Sequence, residues 1–276
     1  MPTRRSGPFV RIRHAPTPNR PICPNPTLPH PKPTPLSESD TAASPKNHPA
    51  PPVAPAAPPR YARAVSTTTR LFLVRHALVE PSARTTMYGT MDVGLCDLAL
   101  RQDAATYRWL AARLPQPARW IVTPLSRTRA TAAAIFAAGY PESPLETRAA
   151  LIEQALGELQ GLPHETFVER LRHPPHPFWS IAADERPPGG ESFQDVMGRV
   201  GAELDQVVAE HAGGDVVIIA HGGSIRAALA HAMGVDGHPV LAFSIKNLSL
   251  TRIEKVGPDW RVAAVNEEAF TLPADA

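Results

Sequence analysis

The sequence is poor in cysteine and aromatic residues: Cys23 and Cys96 are its only cysteines, and aromatics make up 6% of its 276 positions. Two distant cysteines form neither a metal cluster nor a disulfide framework, so the chain suits a reducing compartment. Long apolar runs are also missing. None approaches the length of about 18 residues that a transmembrane helix needs, and no apolar signal segment follows Met1. We therefore expect a cytoplasmic protein without a membrane partner.

Acidic residues are scarce in the first part of the chain. Residues 1–66 carry nine Lys/Arg and two Asp/Glu, and residues 1–60 hold 18 of the 33 prolines. Without a helical or strand period, such a segment cannot bury enough apolar surface to offset its ordering entropy. We predict a disordered or polyproline II tail over 1–66. It has three interpretations: a start assigned too far upstream, with translation beginning near Val65; a transit peptide; or a tail that docks SH3-like or anionic partners.

The other 210 residues are slightly acidic, with 19 Lys/Arg against 24 Asp/Glu. This balance gives no support to nucleic acid as a partner. Apolar periodicity predicts alternating strands and helices. Strands are expected at 70–75, 120–123, 145–148, 216–220, 248–256 and 260–265. Helices are expected over 100–114, after the second strand through about residue 138, over 163–172, from Ser192 onward, and over 224–233. The alternation indicates an α/β domain over 67–276, a three-layer sandwich with a mostly parallel sheet.

Two histidine motifs, 145 residues apart, carry the chemistry. In each, an apolar run ends abruptly in a histidine: residues 71–74 precede Arg75-His76, and residues 216–220 precede His221. Buried parallel strands consist of such runs, and ligands collect at their carboxyl ends. Alone, Arg75-His76 favours a structural histidine at a strand end, with Arg75 in a surface ion pair. Because the second motif repeats the arrangement, we predict a phosphate site that holds a nucleophile and its partner.

The residue types suit that chemistry. A neutral imidazole is a nucleophile near neutral pH, and the adjacent guanidinium of Arg75 can clamp phosphate oxygens bidentately. Gly222 and Gly223 let the backbone approach a ligand, and the helix start after them offers free N–H groups to an anion. The alternative for this glycine pair is an ordinary tight turn between a strand and a helix.

Six segments in order resemble the histidine phosphatase superfamily, also called the phosphoglycerate mutase-like family. The resemblance covers about residues 69–265 and implies the phosphoglycerate mutase-like fold. The six segments are 75–77 (RHA), 88–95 (YGTMDVGL), 123–127 (TPLSR), 151–157 (LIEQALG), 188–192 (PGGES) and 221–223 (HGG).

The resemblance implies a role for five side chains. His76 would attack phosphorus and become phosphohistidine, while Arg75, Arg127 and His221 bind the phosphoryl oxygens. Glu153 would protonate the leaving group and then activate water. Phosphoryl transfer depends mainly on positioning and charge stabilisation, so neither a metal nor a cofactor is expected.

Each of these assignments has a structural alternative. Glu153 could be an exposed carboxylate, and Arg127 could lie on a solvated helix face, with Arg129 as its competitor. Ala77 stands where the family has glycine, and its methyl group adds bulk beside the phosphate unless φ is negative. Val79 and Ser82 replace residues that are often Thr and Asn in the family.

The part of the substrate remote from the phosphate therefore meets a surface that differs from the family's. Ser82, Arg84 and Tyr88 are candidates to line that surface, and Gly222 is a candidate to lie beside the phosphate. Only 68 residues separate Glu153 from His221, a compactness that resembles phosphatases, including the α-ribazole phosphatase branch. We expect a metal-independent phosphomonoesterase that acts on a small phosphorylated metabolite. The alternatives are a phosphoglycerate-type phosphomutase and a non-catalytic phospho-ligand binder on the same fold. The oligomeric state stays open.

Overall fold

The computed structural model describes residues 67–269. The prediction of a disordered tail over 1–66 falls outside these described residues.

A six-stranded sheet forms the centre of the domain, in the order β3-β2-β4-β1-β5-β6. Strands β3, β2, β4 and β1 are parallel, whereas β5 is antiparallel to β1 and β6 is antiparallel to β5. The predicted mostly parallel sheet is confirmed. The strands are β1 (Thr68–Arg75), β2 (Arg119–Val122), β3 (Leu145–Thr147), β4 (Asp215–Ala220), β5 (Leu250–Val256) and β6 (Asp259–Glu267).

Helices connect the strands, together with four 3-10 turns. The turns span Ala83–Thr85, Ala149–Leu151, Gly157–Leu159 and Phe167–Arg170. The helices are α1 (Asp97–Gln102), α2 (Ala104–Arg113), α3 (Ser126–Ala137), α4 (Phe193–Glu210), α5 (Gly222–Met233) and α6 (Gly237–Val240).

Several element boundaries differ from the sequence prediction. The helix expected over 100–114 is two helices. Asp103 leaves helical geometry and is both the C-cap of α1 and the N-cap of α2. The helix expected over 163–172 shrinks to the 3-10 turn Phe167–Arg170. Strand β5 begins at Leu250, and Leu248, with a φ of 59°, lies outside the extended region just before it.

Both faces of the sheet are covered by apolar layers. Alternate residues of a strand point to opposite faces, so Leu71 and Leu73 belong to one buried cluster and Phe72 and Val74 to another. The first cluster includes the inner faces of α4 and α5, and the second those of α2 and α3. The three-layer sandwich is therefore confirmed. No helix within 67–269 is long and apolar enough to cross a membrane.

The start of α4 is defined by a capping box. Ser192 Oγ accepts a hydrogen bond from the Asp195 N–H at 3.3 Å, and Asp195 Oδ2 accepts one from the Ser192 N–H at 2.8 Å. These bonds satisfy two N–H groups that otherwise lack a partner at a helix start. The helix start predicted from Ser192 and Asp195 is confirmed.

Replacing Ser192 by Ala is expected to lower the free energy of unfolding by about 1 kcal/mol, because the helix loses its cap. Urea denaturation of the full chain measures this change. Ser143→Ala is the control, because the Ser143 hydroxyl bonds a loop carbonyl and caps no helix. Equal stability of the two variants would contradict the importance of the cap.

Candidate active site

Parallel pairing of β1 with β4 places the two histidines side by side. Arg75 and Ala220 end these strands and are paired in register. The residues that follow, His76 and His221, lie with their ring centroids 5.2 Å apart. Both are buried, with at most 1% of their surface exposed. The structure thus brings together the two histidines that the sequence singled out.

Hydrogen bonds fix the orientation of His76. Its Nδ1 lies 2.7 Å from the carbonyl oxygen of Ala77, which can only accept, so Nδ1 carries the proton. Nε2 therefore keeps its lone pair and can act as a nucleophile. The His76 carbonyl accepts from Asn247 Nδ2 at 2.8 Å, and the His76 N–H donates to Ala220 O at 2.9 Å.

Ala77 fits its position without strain. Within 67–269, the non-glycine residues with positive φ are Leu248 and Asn266, so Ala77 has a negative φ. Its side chain is buried in the apolar cluster that includes Val74, and its N–H donates to Thr131 Oγ1 at 2.9 Å. The methyl group therefore demands no conformation that alanine avoids.

His221 is held by a threonine at the end of β2. Its Nε2 lies 2.9 Å from Thr123 Oγ1, and its N–H donates to Ser224 Oγ at 3.1 Å. Since His221 is also the N-cap of α5, the amino end of that helix opens at the site.

Arg127 is fully buried at the start of α3 and is held by the segment 88–95. Its Nη1 donates to Met91 O at 2.7 Å and its Nη2 to Gly89 O at 2.8 Å. Arg129, the competing arginine, is exposed and bonds Thr147. The solvated-face interpretation of Arg127 is therefore wrong.

Three buried nitrogens on the predicted phosphate-binding residues have no hydrogen-bond partner. They are Arg75 Nε, Arg127 Nε and His221 Nδ1. Buried polar atoms nearly always have partners, so this cluster fits an oxyanion ligand. Arg75 is held through Nη1, which donates to Ile245 O at 2.6 Å. Among residues 67–269, His, Cys, Asp and Glu side chains form no group of three that could hold a metal ion.

The environment keeps both imidazoles neutral. Burial lowers the pKa of His76 well below its usual range, and the charges of Arg127 and Arg75 lower it further. Burial likewise lowers the pKa of His221, with contributions from His76 and the same arginines. At neutral pH the His76 imidazole is therefore uncharged, beside the positive charges of Arg127 and Arg75.

Glu153 lies at the amino end of α5. Both carboxylate oxygens are 3.1 Å from the Gly223 N–H, and Oε1 also accepts from the Gln154 N–H at 2.9 Å. A Cβ on Gly223 would lie 2.2 Å from Oε1, so only glycine admits the carboxylate here. A Cβ on Gly222 would lie 3.2 Å from Arg226 Nη1 and 3.6 Å from the guanidinium carbon of Arg75.

A cavity of about 300 Å³ opens beside these residues, with Arg75 and Glu153 in its lining. Arg84 and Tyr88 also line it, as predicted, together with Met87, Leu156, His164, Trp179 and Ile181. Ser82 does not line this cavity. It is exposed just before the turn Ala83–Thr85, whose buried residue is Ala83.

Two segments of the cavity wall are joined to each other. Met87 N donates to Leu162 O at 2.9 Å, Gly161 N to Met87 O at 2.8 Å, and His164 N to Thr85 O at 3.0 Å. The segments around 85–87 and 161–164 therefore form one hydrogen-bonded unit.

Sequence reasoning missed several residues that support the site. Arg226 lies one helical turn after Gly222; its Nη1 donates to Gly222 O at 3.0 Å, and its guanidinium lies 4.4 Å from the Trp179 ring. This i, i+4 spacing was a usable signal. Thr123 and Asn247 gave no such signal, because their partners come from distant parts of the chain.

Two neutral imidazoles, two guanidinium groups and a carboxylate near the carboxyl ends of the parallel strands can together bind a phosphoryl group. Residues 71–268 match the family model of the histidine phosphatase superfamily (branch 1). The chain belongs to this superfamily.

Individual relatives carry phosphatase names. A glucosyl-3-phosphoglycerate phosphatase of Mycolicibacterium vanbaalenii is 36% identical over 182 residues, which cover 62% of this chain and 78% of that protein. The structure of a mycobacterial glucosyl-3-phosphoglycerate phosphatase superimposes with a TM-score of 0.60 at 26% identity, covering 72% of this chain and 99% of that one. A bifunctional protein of Mycobacterium tuberculosis is 33% identical over 165 residues, 59% of this chain. The match spans only 44% of that longer protein.

The lowered pKa values predict that acid destabilises the fold. Below about pH 6.5 the unfolded chain binds a proton at each histidine, whereas the folded state excludes it from His76 and His221. Stability is therefore fully present above that pH. Below it, stability falls by up to about 1.4 kcal/mol per pH unit for each histidine.

The His76→Asn variant should show a shallower decline in the free energy of unfolding. Urea titrations at about pH 7.5 and about pH 5.5 measure the slope. At the higher pH both imidazoles are neutral. The difference in the free energy of unfolding between wild type and variant at that pH therefore isolates the packing effect of the substitution. Parallel pH profiles for wild type and variant would contradict the assignment.

Proposed function

We propose that the protein is a metal-independent phosphomonoesterase that acts on a small phosphorylated metabolite through a phosphohistidine intermediate. The observation that carries the proposal is the state of His76. Burial and the charges of Arg127 and Arg75 lower its pKa, its Nδ1–H donates to Ala77 O, and its Nε2 keeps the lone pair.

In the first step, His76 Nε2 attacks phosphorus and the bond to the ester oxygen breaks. The electron pair leaves with that oxygen, which takes a proton from Glu153. The bond from Nδ1–H to Ala77 O stabilises the positive charge that develops on the ring. Arg75, Arg127 and His221 hold the phosphoryl oxygens and balance their charge.

In the second step, water attacks phosphorus and gives a proton to Glu153. The P–N bond breaks and its electron pair returns to His76 Nε2, which regenerates the neutral imidazole. Inorganic phosphate leaves, so each turnover releases one phosphate and one alcohol. Glu153 thus serves as acid and then as base, as microscopic reversibility requires.

The cavity supports a small substrate. Its volume of about 300 Å³ is at the lower end of the range for small-molecule sites. Arg84 and Tyr88 line this cavity, together with apolar side chains such as Met87, and are our candidates for contact with the leaving group. The relative named for glucosyl-3-phosphoglycerate is consistent with a substrate of this size.

The first test is phosphate release from p-nitrophenyl phosphate and a panel of small phosphomonoesters, with the full chain in EDTA. We expect turnover that survives EDTA and falls at least about 10³-fold in His76→Ala. His173→Ala is the control, because His173 is exposed and the cavity lining does not include it.

Release of phosphate in a one-to-one ratio with alcohol separates a phosphatase from a mutase, which returns the phosphoryl group to a second hydroxyl. Turnover that persists in His76→Ala, or that EDTA abolishes, would overturn the proposal. Absence of turnover in the wild type would favour the binding-protein alternative.

The second test uses the glycine beside Glu153. Gly223→Ala is expected to lower kcat/KM for glycerol phosphate, whose alkoxide needs a proton, at least about tenfold, because the new Cβ displaces the Glu153 carboxylate from the end of α5. The displaced group is the end of a flexible side chain, so the thermal midpoint should change little. Gly198 lies on α4, and a Cβ added there would meet no atom within 4 Å. Gly198→Ala is therefore the matched control and should keep full activity. Equal activity of the two variants would contradict the placement of Glu153.

A further inference from the structure

The segment that carries Glu153 has no regular secondary structure of its own. Between the turns Ala149–Leu151 and Gly157–Leu159, residues 152–156 belong to neither helix nor strand. A general acid must nevertheless be held close to its productive geometry, because a displacement of about 1 Å can cost about 10²-fold in rate. Another element must therefore hold this segment.

Arg199 on α4 makes contact with that segment through three carbonyls. Its Nη1 donates to Ala150 O at 2.7 Å and to Ile152 O at 2.8 Å, and its Nη2 donates to Glu153 O at 3.0 Å. The guanidinium thus binds the backbone on both sides of residue 151 and at the acid itself.

The remaining N–H groups of Arg199 bind Glu191. Nε donates to Glu191 Oε1 at 2.7 Å and Nη2 to Oε2 at 2.9 Å, a bidentate pair. All five guanidinium N–H groups are therefore used, and this planar fork is one that lysine cannot reproduce.

Glu191 completes the arrangement from the other side. Its Oε2 accepts from the Ala155 N–H at 2.9 Å, and its own N–H donates to Ala155 O at 2.8 Å. Burial alone would raise the pKa of Glu191, but the bonds from Arg199 and Ala155 outweigh it and hold the pKa below its usual range. Glu191 is thus a carboxylate at neutral pH, and its charge keeps Arg199 in place.

We propose that Arg199 and Glu191 form a clamp that positions Glu153 for proton transfer, and that its effect on rate is specific to steps that need this proton. The inference rests on the proposed function, because it assigns Glu153 the role of general acid. Arg199 is a positioning residue: it touches the backbone that carries the acid, and it acts on the reaction through that acid.

The dependence of kcat/KM on the leaving group tests the clamp. Nitrophenolate leaves without a proton, whereas the alkoxide of glycerol phosphate needs one. Since kcat/KM reports steps up to phosphorylation of His76, the ratio of the glycerol phosphate value to the p-nitrophenyl phosphate value isolates proton donation. We expect Arg199→Lys to lower this ratio about 10- to 100-fold, with the value for p-nitrophenyl phosphate changing less than about threefold.

Arg148→Lys is the matched control. Arg148 also forms several ion pairs with α4, through Glu203 and Glu210, but its side chain has no bond to residues 150–155. Its substitution should leave the ratio unchanged. Glu191→Gln is a second variant that keeps the shape of the clamp while weakening it, and it should lower the ratio by a smaller factor. Thermal unfolding of every variant checks that the chain is folded.

The double variant Arg199→Lys/Glu153→Gln completes the cycle. If the clamp acts through Glu153, the double variant has the same ratio as Glu153→Gln alone. An equal loss on both substrates in Arg199→Lys, or additive losses in the double variant, would overturn the clamp. If Glu153→Gln leaves the ratio unchanged, the acid role fails and the clamp with it. If only Arg199→Lys and Glu191→Gln leave the ratio unchanged, the clamp fails and the acid role stands.

Discussion

The parallel pairing of β1 with β4 is the constraint on which the site depends. The two strands end level with each other, so the residues that follow them must lie side by side. No loop rearrangement is needed to bring His76 to His221, because the sheet register determines their separation. Apolar layers on both faces bury the sheet and hold this register, since a slip of one residue would turn its core side chains to the wrong face.

Burial of so many polar groups would be costly if they were not held by fixed partners. His76, Arg127 and His221 are nearly inaccessible, and carbonyl or hydroxyl groups hold each of them. These partners orient the imidazoles and the guanidinium before any substrate is present. In the proposed reaction, preorganisation of this kind places positive charge where a phosphoryl group develops negative charge, and little has to move.

Much of the fold could be predicted because its signals are local. The apolar runs of β1 and β4 are unbroken, and Ser192 with Asp195 forms a cap within four residues. The break at Asp103 was missed because the apolar period of the surrounding helix continues through it. Strand β6 was predicted to end at Val265 but runs to Glu267, where its pairing with β5 continues beyond the apolar pattern.

The site was predicted to the extent that its residues lie in motifs. His76 and His221 lie side by side, and Glu153 accepts a hydrogen bond from Gly223, two residues after His221. The roles assigned to these residues and to Arg127 stay predictions. The spacing of Ser82 from His76 predicted that Ser82 lines the cavity. In the turn that follows Ser82, however, the buried residue is Ala83. The bonds from Asn247 to the His76 carbonyl and from Arg199 to residues 150–153 span 171 and up to 49 positions. Such contacts depend on the assembled fold, which no single-sequence pattern records.

The joined wall segments around 85–87 and 161–164 have an evolutionary consequence. They bond to each other, whereas the histidines stand on the strand ends and are held by the sheet and by Asn247. The wall can therefore accept substitutions or insertions as a unit while the two histidines keep their geometry. Substrate specificity can in this way change by exchange of a single surface unit, so related proteins can act on different metabolites while the proposed reaction stays the same.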